Sequence, residues 1–169
     1  SAKLIDFWLK PAVVALGVPL YLQLSRIKKQ FIPILASQMM GCLVGIVSVV
    51  VTARLLGASH AVVVSLASKS VTTPIAMEVT QALGGIPSLT AAIVVITGLI
   101  GAVVGFKIMS VGHISNPMAK GLSMGAASHA LGTSVAMDRD EFVGAYASLG
   151  LTLNGILTAL LTPSVVALL

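Results

Sequence analysis

The sequence predicts an all-α, polytopic transmembrane protein with two discontinuous or re-entrant segments related as an inverted repeat. Three observations lead there. Hydrophobic residues make up 57% of the 169 and charged residues only 9%, against about 25% charged in a soluble domain, so the chain lacks the polar surface to face water. The apolar residues fall into runs of membrane-spanning length. Two of the runs are interrupted by polar residues at matching places.

At roughly 20 residues per span with short connections, the chain has room for about five or six membrane-embedded segments. Pro11 to Leu24 is a short hydrophobic segment carrying Pro11, Gly17 and Pro19. Arg26, Lys28 and Lys29 form a basic loop, and Phe31 to Leu56 is a long span whose Gly41 and Gly45 permit close helix approach. Ala61 to Leu83 turns polar at Ser68-Lys69-Ser70-Val71-Thr72-Thr73-Pro74, then resumes. Gly84-Gly85-Ile86-Pro87 reads as a turn. Ser88 to Met109 is a clean span with Gly98, Gly101 and Gly105 on one helical face, expected to pack on a neighbour or another subunit. Gly121 to Met137 is too small and too polar for a lipid-facing helix. Asp138 to Glu141 reads as a charged loop, and Phe142 to Leu169 as the last span.

Lys and Arg outnumber Asp and Glu by ten to five. On a soluble domain that excess would suggest nucleic acid. Here the charges sit at segment ends, where they set orientation, and no nucleic-acid partner is expected. Cys42, the one cysteine, lies in an apolar run and reads as a packing residue. No metal-ligand cluster, no cofactor-binding motif and no catalytic set of nucleophile, base and orienting acid is visible, so neither metal, cofactor nor enzymatic activity is expected. The start at Ser1 reads as the middle of a larger protein.

Residues 67–89 align without gaps on 127–149. Ala67, Ser68, Thr73, Ala76, Met77, Gly84, Ser88 and Leu89 meet identical residues sixty positions on, and the basic Lys69 meets His129. The repeat units run from about 28 to 87 and from about 88 to 147. If the basic loop at Arg26 is cytoplasmic, so is the one between Lys107 and Lys120, and only one net crossing fits between residues 60 and 110. Ser88 to Met109 takes that crossing, so Ala61 to Leu83 dips in and returns, and Gly121 to Met137 does so from the opposite side. Two broken helices that both cross are the alternative.

Corresponding broken segments in two halves point to a transporter's binding site. A lysine at membrane depth costs about 2.5–3.5 kcal/mol and marks a pathway or a partner, unless it snorkels to the interface. Thr73 before Pro74 reads as a helix cap, with Thr133 and Ser134 in the matching place and Gly132 easing the turn. Two helix starts favour an anion. Lys69, Ser70, Thr72, Thr73, Ser128, His129, Thr133 and Ser134 are therefore the candidate substrate-binding residues, for a small carboxylate. His129 reads either as donor or carrier of a coupled proton, or as a histidine packing two helices.

Pro11 to Tyr21, Lys69 to Met77, Gly84 to Pro87 and Gly125 to Thr133 together resemble the LrgB/CidB family of YohK-like bacterial inner-membrane proteins. The likeness runs through nearly the whole chain, read as a single LrgB-like transmembrane domain over 1–169 that lacks the family's N-terminal hydrophobic segments. It implies a multi-pass protein of the bacterial inner membrane, with the bilayer and further copies of itself as neighbours. It also implies two functions. One is transport of small carboxylates such as glycolate, glycerate, lactate or pyruvate, as in the related plastidial transporter. The other is antiholin-like control of murein hydrolase export or activity and of lysis, acting with a small LrgA/CidA-like membrane protein.

Overall fold

The computed structural model describes residue 21 and residues 24–168, and no strand occurs among them. The hydrophobic segment expected at 11–24 lies, apart from its end, outside the described residues. The helices are α1 (Leu24–Lys29), α2 (Phe31–Leu55), α3 (His60–Ala67), α4 (Thr73–Ala82), α5 (Pro87–Val111), α6 (Pro117–Arg139) and α7 (Glu141–Leu168).

Three of these are long and apolar enough to cross a membrane: α2, α5 and α7, of 25, 25 and 28 residues. At about 1.5 Å per residue each exceeds the roughly 30 Å hydrocarbon core, and they match the three long spans expected. α3, with eight residues, reaches only about 12 Å and cannot cross. α6 is broken at His129, whose φ of 43° and ψ of −134° reverse the chain.

Residue pairing sets the direction of each helix. Gly121 packs on Val143 and Ala147, and Gly125 on Ala147 and Leu151, so the first half of α6 runs parallel to α7. α7 begins only two residues after α6 ends, so the second half of α6 must run back. Asp140 alone separates the two helices, and its carboxylate accepts the N–H of Val143 at 2.9 Å. The expected charged loop at 138–141 is thus one capping residue between helices. α5 runs antiparallel to the first half of α6, with Gly98 on His129, Gly101 on Ser128 and Gly105 on Met124. This glycine face packs inside the chain and not on another subunit.

The first interrupted segment is also a hairpin. The Ser68 hydroxyl lies 3.2 Å from the Ala76 carbonyl oxygen and 3.3 Å from the Thr80 hydroxyl, which requires α4 to return alongside the end of α3. Thr80 meets the Thr90 hydroxyl at 2.9 Å, and Thr90 in turn donates to the Ser65 carbonyl oxygen. The Ile86 N–H donates to the Ser65 hydroxyl at 2.8 Å. Gly84, with φ of 75°, ends the return leg in a conformation that suits glycine. Val71, Ala76 and Val94 close the hairpin's tip against α5, so α3 runs parallel to α5.

α2 lies parallel to α7: the Tyr146 hydroxyl donates to Gln30 Oε1 at 3.3 Å, and the Cys42 thiol meets the Thr158 hydroxyl at 3.3 Å, both across 116 residues. α3 therefore follows the direction of α5, the first half of α6 follows α7, and α5 opposes the first half of α6. The two hairpins enter the bundle from opposite ends.

Cysteines introduced at Ser59 and Ser115, in the loops after α2 and α5, should accordingly label with an impermeant reagent from opposite sides of the membrane. Labelling from one side would overturn this helix order. Gly101→Leu should lower the yield of folded protein sharply, because its side chain would have to displace Ser128, and should do so whatever the oligomeric state.

Candidate functional site

The hairpin tips meet at one side chain. Asn154, buried on α7, donates from Nδ2 to the Ser70 carbonyl oxygen at 3.3 Å and to the Ala126 carbonyl oxygen at 2.9 Å. Helix ends leave carbonyls without intrahelical partners, and at membrane depth water is scarce. The asparagine serves one such carbonyl from each hairpin. Beside it opens a cavity of about 780 Å³, lined by the first tip (Ala67, Lys69, Ser70), the first leg of α6 up to Ser128, and facing residues of α2, α5 and α7. That is the size range of small-molecule sites.

Most of the wall is apolar. Its polar groups include Ser37, Gln38, Lys69, Ser70, Ser128, Asn154 and Thr158, and Lys69 is the single charged side chain among the lining residues. Lys69 Nζ donates to the Ser70 hydroxyl at 3.1 Å, and no carboxylate pairs with it among the described residues. Gly41 and Gly45 also line the cavity, with nothing within 4 Å of the place a Cβ would take. Their helix face looks onto the cavity and not onto a closely packed helix.

A model of the LrgB-like family matches residues 1–168. The chain belongs to the LrgB family. It is 34% identical over 163 residues to "Antiholin-like protein LrgB" of Bacillus mycoides (strain KBAB4), covering 96% of this chain and 71% of that protein. The protein of the same name from Bacillus cereus (strain B4264) gives the same identity and coverage. YxaC of Bacillus subtilis (strain 168) is 38% identical over 166 residues, covering 98% of this chain and 72% of YxaC. No solved structure matches the chain.

In this LrgB-family chain, Lys69, Ser70 and Ser128 of the expected binding residues come together at the cavity. Thr72, Thr73, His129, Thr133 and Ser134 are not among its lining residues. The capping expectation is corrected on both hairpins. Thr72, not Thr73, is the N-cap of α4, and its side chain makes no cap bond; Thr73 and Pro74 open the helix itself. In the second hairpin the reversal falls at His129, four residues before the expected threonine, so Thr133 lies within the return leg and donates its hydroxyl to the His129 carbonyl oxygen at 2.8 Å. Gly132 does not make the turn; it lets the return leg sit against the Met124 backbone. Ser134 is exposed.

His129 is buried, and its Nε2–H donates to the Val94 carbonyl oxygen at 2.9 Å, while its ring fills the space beside Gly98. It ties the second tip to α5, the packing alternative of the sequence reading. Gln38, Asn154 and Thr158 escaped the sequence reading because each stands alone in an apolar helix, with no motif around it. The 116-residue pairing of α2 with α7 was invisible in one dimension.

Replacing Asn154 with Leu removes two hydrogen bonds and leaves two buried carbonyls unserved. At about 1–3 kcal/mol for each orphaned group, the loss should be about 2–6 kcal/mol, read as a fall in the thermal unfolding midpoint in detergent. A midpoint equal to that of the wild type would show that the tips are held otherwise.

Proposed function

We propose that this chain is a carrier that binds a small carboxylate at the hairpin tips and moves it across the membrane. The observation that supports this is Lys69: a cation beside a cavity, without a carboxylate partner among the described residues, bonded to the Ser70 hydroxyl and sharing the cavity wall with Ser128. Such a cation is costly at membrane depth unless something occupies it. An anion would neutralise it and gain charge-assisted hydrogen bonds of about 1.5–3 kcal/mol each. The hairpins, entering from opposite ends, suit two inverted units of about 28–87 and 88–147 that rock about a shared site. In this reading the protein is a multi-pass component of the bacterial inner membrane, and not an enzyme.

A second reading is favoured by the name of the relatives, which is antiholin-like and not that of a transporter. Under it the chain regulates murein hydrolase export or activity, and lysis, together with an LrgA/CidA-like small membrane protein. The exposed apolar faces of α2 (Met40, Val44) and α5 (Leu99, Val103) suit lipid, such a partner or further copies of the chain. The relatives' name weighs toward regulation, the cavity toward transport.

Purified protein in liposomes should exchange labelled lactate, glycolate or pyruvate saturably. Lys69→Met, which keeps the stem and removes the charge, should weaken carboxylate binding by at least about tenfold, the equivalent of one charge-assisted bond, with the unfolding midpoint unchanged or raised. Affinity like that of the wild type in Lys69→Met would sink the site assignment. If no carboxylate binds, yet expression still alters lysis, the regulator reading prevails.

A further inference from the structure

Gln38 is the cavity's most deeply buried polar group with an unanswered atom. It is only 4% exposed, lines the cavity, and its Oε1 has no hydrogen-bond partner among the described residues. Buried polar side chains are nearly always bonded, so an orphaned oxygen calls for an explanation. The pairing of α2 with α7 shows what faces it. Gln30 meets Tyr146 and Cys42 meets Thr158, each pair 116 residues apart. The same offset sets Gln38, between them on α2, level with Asn154. That is the height at which the two hairpin tips meet.

Asn154 offers a ligand no N–H there, because both Nδ2 hydrogens are engaged with the Ser70 and Ala126 carbonyl oxygens. The acceptor left without a partner at this height, among the described residues, is Gln38 Oε1. Lys69 Nζ, on the tip that Asn154 holds, can only donate. The Gln38 oxygen is almost inaccessible as it stands, and because the terminal torsion of a glutamine is soft, a turn of the amide is the motion that would present it to a ligand.

We propose that Gln38 is a specificity-determining residue, accepting a hydrogen bond from a donor group carried by the carboxylate ligand next to its carboxyl end. The inference rests on the carrier reading and deepens it. Lys69 holds the carboxylate, and Gln38 tests what the adjoining carbon bears. A hydroxyl donates and satisfies the orphaned oxygen. A methylene offers nothing and leaves the oxygen unpaired. Sites that hydrogen-bond a substrate group discriminate strongly against analogues that lack it, because the site's own polar group is then left unpaired.

Lactate and propanoate share a three-carbon skeleton and a carboxylate, and differ at that carbon alone. In liposomes holding the full chain, unlabelled lactate should compete with labelled lactate at least about tenfold better than propanoate does. Gln38→Met preserves length and removes the acceptor. It should bring lactate down to the level of propanoate and leave propanoate unchanged. Equal competition by the two acids in the wild type overturns the role of Gln38 while leaving the carrier reading intact, and needs no variant to fold. A lactate preference that survives in Gln38→Met also overturns it. Failure of both acids to bind overturns both readings.

Discussion

Ser70 and Ala126 each bring a backbone carbonyl to the middle of the bundle, where neither a continuing helix nor bulk water would serve it, and the Asn154 amide donates to both. The arrangement depends on this pair of bonds. A chain can interrupt its helices at membrane depth only where the freed backbone groups find partners within the protein or in a water-filled cavity. The fold interrupts two segments and brings the interruptions together, so that one side chain from a continuous helix answers both. The cavity lies beside the bridge because the same interruptions that need Asn154 also leave the bundle unfilled there.

The two hairpins are held by different forces. The first is fastened to α5 by hydroxyls: Ser68, Thr80 and Thr90 form a chain of side-chain bonds, and Ser65 takes the Ile86 N–H. Each such bond contributes about 1 kcal/mol net, and each can be exchanged for another. The second is fastened by contact. Gly121, Gly125 and Gly150 bring the backbones of α6 and α7 so close that a Cβ at any of them would strike a carbonyl group. Dispersion and close packing are the principal means of association where lipid is as apolar as the side chains. His129 adds one polar tie, to Val94 on α5, and bears a left-handed φ of 43°, a conformation that costs on the order of 1–3 kcal/mol.

The polar groups then divide between structure and site. Thr80, Thr90, Thr133 and His129 are buried and bonded within the protein. Lys69, Ser70, Ser128 and Gln38 line the cavity, and among the described residues Lys69 reaches only its neighbouring serine while the Gln38 oxygen reaches nothing. Family membership bears on the same point from the other side: the relatives called antiholin-like share at least a third of their aligned residues with this chain, so the regulator and the carrier are competing accounts of one fold.

By itself the sequence determined that the chain is an all-helical membrane protein, where its long spans lie and which two segments are interrupted. Those properties follow from local composition: apolar runs as long as a bilayer is thick, proline and glycine at the ends, and hydroxyls and a lysine where a lipid-facing helix would not carry them. The LrgB resemblance was also legible, because motifs such as Lys69 to Met77 are contiguous. Only the tertiary structure decided what the breaks do. The helix starts expected at Thr73 and Thr133 are not at the cavity, since the second reversal falls at His129, whose backbone adopts a conformation the sequence would sooner assign to Gly132. His129 turned to α5 because Gly98 leaves room for its ring. Gln38 and Asn154 came to the site from α2 and α7, 116 residues apart, through a helix pairing fixed by packing across the bundle and by no pattern along the chain.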